Sequence, residues 1–166
     1  MEFFETLNVR HSVRSYSNRA VEKEKLDSIL EAARIAPTAV NYQAFRIFVL
    51  PTAGRQEELM RIYPKDWFVQ APVVIGVCTV KDKCWVRRDG KSYGDVDSAI
   101  VMDHVILAAT ALGLGTCWIG NFRADAAKEI LKLDDNLEPV AFTPVGYAQE
   151  RKTDRVRKPL SDLLGS

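Results

Sequence analysis

The sequence predicts one domain of the α/β or α+β class, because β-forming stretches alternate along the chain with amphipathic ones. Two further observations support this class. One stretch is apolar on both faces, as in the interior strand of a covered sheet, and another is apolar on every side, as in a buried helix. The 166 residues contain no internal repeat, low-complexity tract or linker, so we treat residues 1–166 as a single domain.

The first predicted helix covers residues 21–36, where apolar residues recur at helical spacing and charged residues cover the other side. Pro37 ends this helix. After a loop, residues 45–50 are rich in β-forming side chains and predict the first strand. A second amphipathic helix is predicted over residues 52–62.

The strand predicted over residues 73–80 should lie in the middle of the sheet, because both of its faces are apolar. Residues 81–93, which follow it, are polar and mostly basic, with a turn signal at Asp89-Gly90. This segment is expected to be a solvated connector, too short and too polar for a lid.

Residues 95–114 predict a helix with apolar side chains in every direction, and either the rest of the chain or a second subunit must cover it. Residues 113–120 supply a glycine exit from this helix and a short strand. A further helix is predicted over 125–133, and a last strand over 139–147 with a break at Pro144.

The charge and the cysteines exclude several classes of protein. A formal net charge of +1, from 23 basic and 22 acidic residues, gives no reason to expect nucleic acid or an acidic membrane as a partner. Cys78, Cys84 and Cys117 show neither CxxC spacing nor paired histidines nearby, which indicates free thiols and no metal site. The N-terminus lacks the features of a signal peptide, and we expect a cytoplasmic protein that does not enter the membrane.

Two basic clusters lie near opposite ends of the chain. In extended backbone Arg10, Ser12 and Arg14 would share one side, as would Arg155 and Arg157. Guanidinium groups bind phosphate bidentately and keep their charge, and a serine hydroxyl adds a directional hydrogen bond. The clusters therefore predict a phosphate site; the alternative is two solvated basic stretches.

The sequence lacks the common nucleophile and acid-base motifs, namely GxSxG, HExxH, a Walker loop and a GxGxxG that follows a strand. Its two histidines are His11 and His104, and His104 falls in the predicted buried helix. If the protein is an enzyme, we expect a bound cofactor to supply the reactive atoms, which requires a phosphate anchor and hydrogen bonds to the cofactor ring.

Four motifs, in order along the chain, resemble those of the nitroreductase-like FMN-dependent oxidoreductases. Arg10-His11-Ser12-Val13-Arg14 resembles the N-terminal phosphate motif of that family. Residues 36–43 (Ala-Pro-Thr-Ala-Val-Asn-Tyr-Gln) resemble the second signature, residues 113–120 the third, and residues 155–160 the closing basic motif. The resemblance implies a mixed β-sheet flanked by helices, and an obligate homodimer with two FMN sites at the subunit interface.

The resemblance also implies roles for individual residues. The arginines and the serine of the two basic clusters would hold the FMN phosphate and ribityl chain. A loop of the partner subunit would line the flavin, while the backbone amides around residues 119–120 would face its N5 atom and pyrimidine edge. Trp118 would lie beside the flavin or in the core, and His11 would donate a hydrogen bond or pack at the flavin. The expected cofactor-binding residues are Arg10, His11, Ser12, Arg14, Pro37, Thr38, Asn41, Trp118, Ile119, Gly120, Arg155 and Arg157.

This chain departs from the second signature of the family at three positions. Ala44 and Phe45 stand where the family usually has Pro and Trp, and Thr38 stands where it has Ser. These changes reshape a wall without removing a required group. Tyr42, Phe45 and Trp67 are the candidates for the substrate wall, and the short connector after the central strand predicts an open, permissive pocket.

The function implied by the resemblance is that of an enzyme with no catalytic side chain. Bound FMN would accept a hydride at N5 from NADH or NADPH, and a small acceptor such as a nitroaromatic or a quinone would then take the electrons in a ping-pong cycle. Three alternatives stay open. They are a specialised flavin reductase (a reductive dehalogenase or an ene-reductase), a non-catalytic FMN carrier, and a flavin-free phosphate-binding domain.

Overall fold

The computed structural model of the chain describes residues 1–150 and 156–165. Helices and strands alternate along it as the sequence predicts. The helices are α1 Phe3–Val9, α2 Lys23–Arg34, α3 Gln56–Met60, α4 Asp66–Gln70, α5 Gly94–Ala111 and α6 Ala124–Leu131; the strands are β1 Phe45–Pro51, β2 Val73–Val80, β3 Gly115–Thr116 and β4 Leu137–Gly146.

The four strands form one sheet in the order β1-β2-β4-β3, and each neighbouring pair is antiparallel. β2 lies in the interior of this sheet and is buried along nearly its whole length, which confirms the prediction for residues 73–80. Among the described residues, parallel pairing is confined to a bridge between Ser12 and Thr116. The sheet is therefore antiparallel where the family resemblance implied a mixed one, because the N-terminal segment that runs parallel to β3 pairs at a single residue.

Two apolar cores cover the two faces of the sheet. On one face α2 and α5 pack on alternate residues of β2, including Ile75 and Val77. On the other face Val74 and Phe142 pack with residues from α3, α4 and α6. Gly76 belongs to this second face, because a Cβ atom there would lie 2.6 Å from the Phe142 ring. Helices on both faces explain why β2 is apolar on both sides.

The long helix α5 is only partly covered by its own chain. Val101, Met102 and Val105 are fully buried, whereas Val96 and Asp103 are exposed. The sequence allowed either the same chain or a second subunit to cover this helix. The same chain covers most of its surface, and part of it stays exposed.

The largest differences from the predicted elements are at α3, β3 and β4. The helix predicted over 52–62 is reduced to the five residues of α3, and β3 pairs over two residues. The break predicted at Pro144 is wrong, because β4 pairs with β2 on both sides of that residue. A proline is tolerated in a strand where no neighbouring strand needs its missing N–H. Pro144 is at such a position, because the pairing of β3 with β4 ends at Val145. The irregularity falls instead between Val77 and Cys78, where the register passes over Val140.

A polar cluster joins the start of α2 to the end of β4. The Tyr147 hydroxyl donates to the Glu22 carboxylate at 2.7 Å, and the Lys25 ammonium donates to the Tyr147 oxygen at 2.8 Å and to the Leu112 carbonyl at 3.0 Å. The Arg19 guanidinium lies 3.9 Å from the centre of the Tyr147 ring. These contacts hold the pKa of Glu22 at about 2, below its ordinary value of 4.5; the hydrogen bond from Tyr147 is the largest cause.

Replacing Glu22 with Gln should flatten the pH dependence of the free energy of unfolding between about pH 4.5 and pH 2. In this window the Glu22 carboxylate is protonated in the unfolded chain but stays ionised in the folded protein. The free energy of unfolding of the unmodified protein therefore falls as the pH drops. Urea titrations at several pH values across the window measure how the free energy of unfolding changes with pH. Glu24→Gln, an exposed change in the same helix, is the control, and equal slopes for the Glu22 variant and the unmodified protein would contradict the expectation.

Candidate functional site

The segment that carries the first basic cluster is held in place by backbone hydrogen bonds. The Val13 N–H donates to the Thr116 carbonyl at 2.8 Å, and the Ser17 N–H donates to the Tyr147 carbonyl at 2.9 Å. The buried Tyr16 hydroxyl donates to the Val13 carbonyl at 2.9 Å. The cluster therefore lies at the end of the sheet where β3 and β4 meet, and its backbone is fixed on both sides.

A pocket of about 90 Å³ opens on this segment, and we call it the N-terminal pocket. Val13 is buried beneath it, whereas Ser12 is half-buried and Arg14 is exposed. Glu150 stands at the pocket as a carboxylate among cationic and hydroxyl groups. The lining residues are His11, Ser12, Val13, Arg14, Ser15 and Glu150.

The Cys117 thiol is buried close to the predicted phosphate-binding side chains. Burial raises its pKa, while the Arg14 charge, a hydrogen bond with Ser12 and the Arg10 charge act in the opposite direction. Arg10, Ser12 and Arg14 therefore all lie near this one buried thiol. Burial outweighs them, and the thiol is not activated as a nucleophile.

The backbone amides of Ile119 and Gly120, which follow β3, differ in their partners. The Ile119 N–H donates to the Phe142 carbonyl at 2.8 Å and belongs to the sheet. The Gly120 N–H has no hydrogen-bond partner within the part of the chain that the structure describes. A Cβ atom at Gly120 would meet only the Trp118 Nε1 atom, at 3.9 Å. Of the two amides expected to face a cofactor, Gly120 is the one that is free to donate.

The loop of residues 37–43, called here the 37–43 loop, has an unusual backbone. Val40, Asn41 and Gln43 have φ angles of 46°, 59° and 52°, in the left-handed region that non-glycine residues rarely adopt. The Thr38 hydroxyl oxygen accepts a hydrogen bond from the Gln43 N–H at 3.0 Å. Pro37 and Asn41 are exposed. Strained backbone of this kind is found mainly at functional sites.

The N-terminal pocket and the 37–43 loop lie at opposite ends of the sheet. The loop leads into Phe45, which pairs with Thr79 near the end of β2. The pocket lies beside Thr116, which pairs with Val145, and Val145 pairs with Val73 at the start of β2. At ~3.3 Å per residue the length of β2 separates the two regions by roughly 23 Å. One protomer therefore carries the predicted site in two separate parts.

The three candidates for the substrate wall are divided in the same way. Tyr42 is exposed on the 37–43 loop, and Phe45 packs partly against the core formed with α2 and α5. Trp67 lies in α4, where its ring packs edge-on against Tyr63 at 5.5 Å and carries the Arg14 guanidinium at 6.0 Å. The structure thus places Trp67 with the N-terminal pocket and the other two with the loop.

The second basic cluster is described only in part. Arg155 lies outside the described residues. Arg157 is exposed, and its guanidinium donates to the Val156 carbonyl at 2.9 Å. Arg157 does not line the N-terminal pocket within this protomer. The predicted meeting of the two clusters therefore stays a prediction.

Sequence reasoning missed two contacts that shape these regions. Ser15 donates to the Gln149 side chain at 2.7 Å, across 134 positions of sequence. The Ala39 N–H donates to Asp97 at 2.9 Å, across 58 positions. Neither contact has a sequence signal, because polar pairs so far apart are brought together only by the tertiary fold. Within residues 1–150 and 156–165 there is no cluster of three or more metal-ligating side chains, and no helix could cross a bilayer.

The structure defines the fold class of this protein as antiparallel α+β. Its pocket, lined by serines and an arginine, lies at one end of the sheet. The Nitroreductase family model matches residues 7–65 and 59–147 of this chain. The chain therefore belongs to the nitroreductase family, as its four motifs indicated.

Individual relatives match nearly the whole chain. A crystal structure of a nitroreductase family protein from Clostridium difficile 630 has 39% sequence identity and a TM-score of 0.91, covering 99% of this chain and 98% of that one. A putative NADH dehydrogenase/NAD(P)H nitroreductase of Methanothermobacter thermautotrophicus is 29% identical over 93% of this chain and 82% of its own length. An FMN reductase [NAD(P)H] of Bacillus subtilis is 27% identical over 95% of this chain and 70% of its own.

Proposed function

We propose that this protein is an NAD(P)H-dependent FMN oxidoreductase that works as a homodimer and reduces a small acceptor, such as a nitroaromatic or a quinone. The observation that carries the proposal is the N-terminal pocket, lined by Ser12 and Arg14, in a chain that belongs to the nitroreductase family. The names of the relatives, which include FMN and NAD(P)H reductases, support the cofactor and the electron donor.

The donors present fit the phosphate and ring of FMN. The guanidiniums of Arg10 and Arg14 and the hydroxyl of Ser12 would hold the phosphate, since all three lie near the buried Cys117 thiol and are donors that suit a phosphate. The free Gly120 N–H would donate to the ring, and fixed amide dipoles need no reorganisation when charge develops. Bound FMN would supply hydride transfer chemistry at its N5 atom, first from NAD(P)H and then to the acceptor.

The rest of the site would come from a second copy of the chain. Pro37, Thr38 and Asn41 of one protomer lie too far along the sheet to line a cofactor held by the pocket of the same protomer. Exposed apolar side chains that a partner would cover include Phe3 and Phe4 on α1, and the C-terminal segment adds more. That segment, which includes Arg157, is exposed throughout its described residues 156–165 and carries Val156, Leu160, Leu163 and Leu164.

No side chain of the described site needs to act as a nucleophile or a general base. The ring of His11 uses its Nδ1–H to donate to the Val9 carbonyl at 3.0 Å, and the Cys117 thiol is held protonated by burial. The connector after β2 is a short hairpin, in which Val86 pairs with Ser92, and it forms no helical cover. The chain would therefore bind, orient and leave room for donor and acceptor in turn, with protons arriving from water.

The test is a visible spectrum of the purified protein loaded with FMN, taken before and after NADH or NADPH is added under nitrogen. We expect the flavin absorbance near its visible maximum to bleach with one of the two nucleotides and to return when a quinone or a nitroaromatic is added. A bound flavin that stays oxidised would identify a carrier. A protein that binds no FMN would end the proposal.

Replacing Gly120 with Ala should weaken FMN binding by about 10-fold without lowering the stability of the fold. The new methyl group meets only the Trp118 Nε1 atom, at 3.9 Å, within the described residues, but it adds bulk beside the amide, where the ring would lie. Quenching of FMN fluorescence measures the affinity, and thermal unfolding of the FMN-free protein measures the stability. The control is Ala53→Ser, an exposed change outside the lining of the N-terminal pocket.

A further inference from the structure

Among the described hydrogen bonds of residues 38–43, one joins the 37–43 loop to a distant part of the fold. Asp97, in the first turn of α5, accepts a hydrogen bond at its Oδ1 atom from the Ala39 N–H at 2.9 Å. The other hydrogen bonds described for residues 38–43 stay within residues 38–45. The left-handed residues Val40, Asn41 and Gln43 follow directly after this anchor. Strained backbone persists only where its surroundings fix it, and here a rigid helix supplies that support.

Asp97 is poorly explained as a residue that serves stability. Its side chain is 1% exposed, and within the described residues its Oδ2 atom has no hydrogen-bond partner. A buried carboxylate oxygen without a donor costs free energy, and a neutral side chain at this place would avoid that cost. Violations of this kind occur mainly where function requires them.

We propose that Asp97 is a positioning residue, which fixes the 37–43 loop through Ala39 and so sets the wall that this loop presents to the flavin in the partner's pocket. The proposal rests on the proposed function. Asp97 itself touches neither cofactor nor substrate in this account. Its charge strengthens the hydrogen bond to Ala39, because bonds to an ionised acceptor are roughly twice as strong as neutral ones.

The test compares Asp97→Ala and Asp97→Asn with the unmodified protein. Asp97→Ala removes the acceptor, and we expect FMN to bind about 10-fold more weakly and the visible circular dichroism of the bound flavin to change. Asp97→Asn keeps a carbonyl acceptor without the charge, so its affinity should lie between the two, about 3-fold below that of the unmodified protein. The matched control is Asp95→Ala, which removes an exposed carboxylate from the same turn of α5 and should leave both readouts unchanged.

Stability separates positioning from a structural role. We expect thermal unfolding of FMN-free Asp97→Asn to occur close to the temperature of the unmodified protein, because the acceptor for the Ala39 N–H is kept. If Asp97→Ala does not fold, Asp97→Asn decides the question by its affinity and dichroism. Variants that bind FMN with the affinity and dichroism of Asp95→Ala would overturn this proposal alone. Failure of the unmodified protein to bind FMN would overturn the proposed function, and this inference with it.

Discussion

Replacing Arg14 with Ala should weaken FMN binding by about 10- to 100-fold. A hydrogen bond to a charged group contributes ~1.5–3 kcal/mol, and each 1.4 kcal/mol corresponds to about a factor of ten in the dissociation constant. Arg14 is exposed at the N-terminal pocket and rests on the Trp67 ring at 6.0 Å, so its loss should leave the fold intact. Fluorescence titration of the FMN-free protein with FMN measures the change.

Two controls make the Arg14 result specific. Arg34→Ala removes an equally exposed guanidinium from α2, where it pairs with Glu31, and should leave FMN affinity unchanged. Riboflavin, which lacks the phosphate, should bind to the Arg14 variant and to the unmodified protein with nearly equal affinity. An Arg14 variant that binds FMN normally would remove the phosphate role of the first basic cluster.

Replacing Phe4 with Asp should convert the protein into a monomer that no longer retains FMN. Phe4 is 75% exposed and packs edge-on against Phe3, at 5.5 Å between ring centres, so it contributes little within its own protomer. Removing a central aromatic residue from an interface costs at least ~2 kcal/mol, about 30-fold in affinity, and a buried carboxylate adds to that cost. Light scattering after gel filtration measures the mass, and the absorbance of the peak measures the flavin.

Gln56→Glu, which adds the same charge at an exposed position of α3, is the control for Phe4→Asp and should leave a yellow dimer. The two readouts are linked in the proposal, because the pocket and the 37–43 loop of one protomer lie roughly 23 Å apart along β2. A monomeric Phe4 variant that keeps full FMN affinity would show that one chain makes the site by itself.

An element could be predicted from the sequence where its own residues carry a clear apolar pattern. The strand over 73–80 and the helix within 95–114 have strong apolar patterns of their own, and the structure places β2 and α5 there. The five-residue helix α4 has no such pattern, and a helix this short depends on its tertiary packing. The break predicted at Pro144 is wrong because the residues around Pro144 do not show where the neighbouring strand β3 ends.

The same reasoning applies to the candidate site. The common side of Arg10, Ser12 and Arg14 is a prediction from their spacing alone, and it stays a prediction. That Ile119 donates within the sheet while Gly120 does not depends on the pairing with Phe142, which has no local signature. The anchoring of Ala39 by Asp97 requires the tertiary fold for the same reason.

The bridge between Ser12 and Thr116 also affects how readily the protein aggregates. β3 is the outermost strand on its side of the sheet, and an uncovered strand edge is a template on which other molecules can pair and aggregate. The residues proposed to hold phosphate also cap this edge. A chain trimmed before Tyr16 would therefore lose its protection against intermolecular strand addition together with its ligand, and cofactor retention and shelf life should decline in parallel.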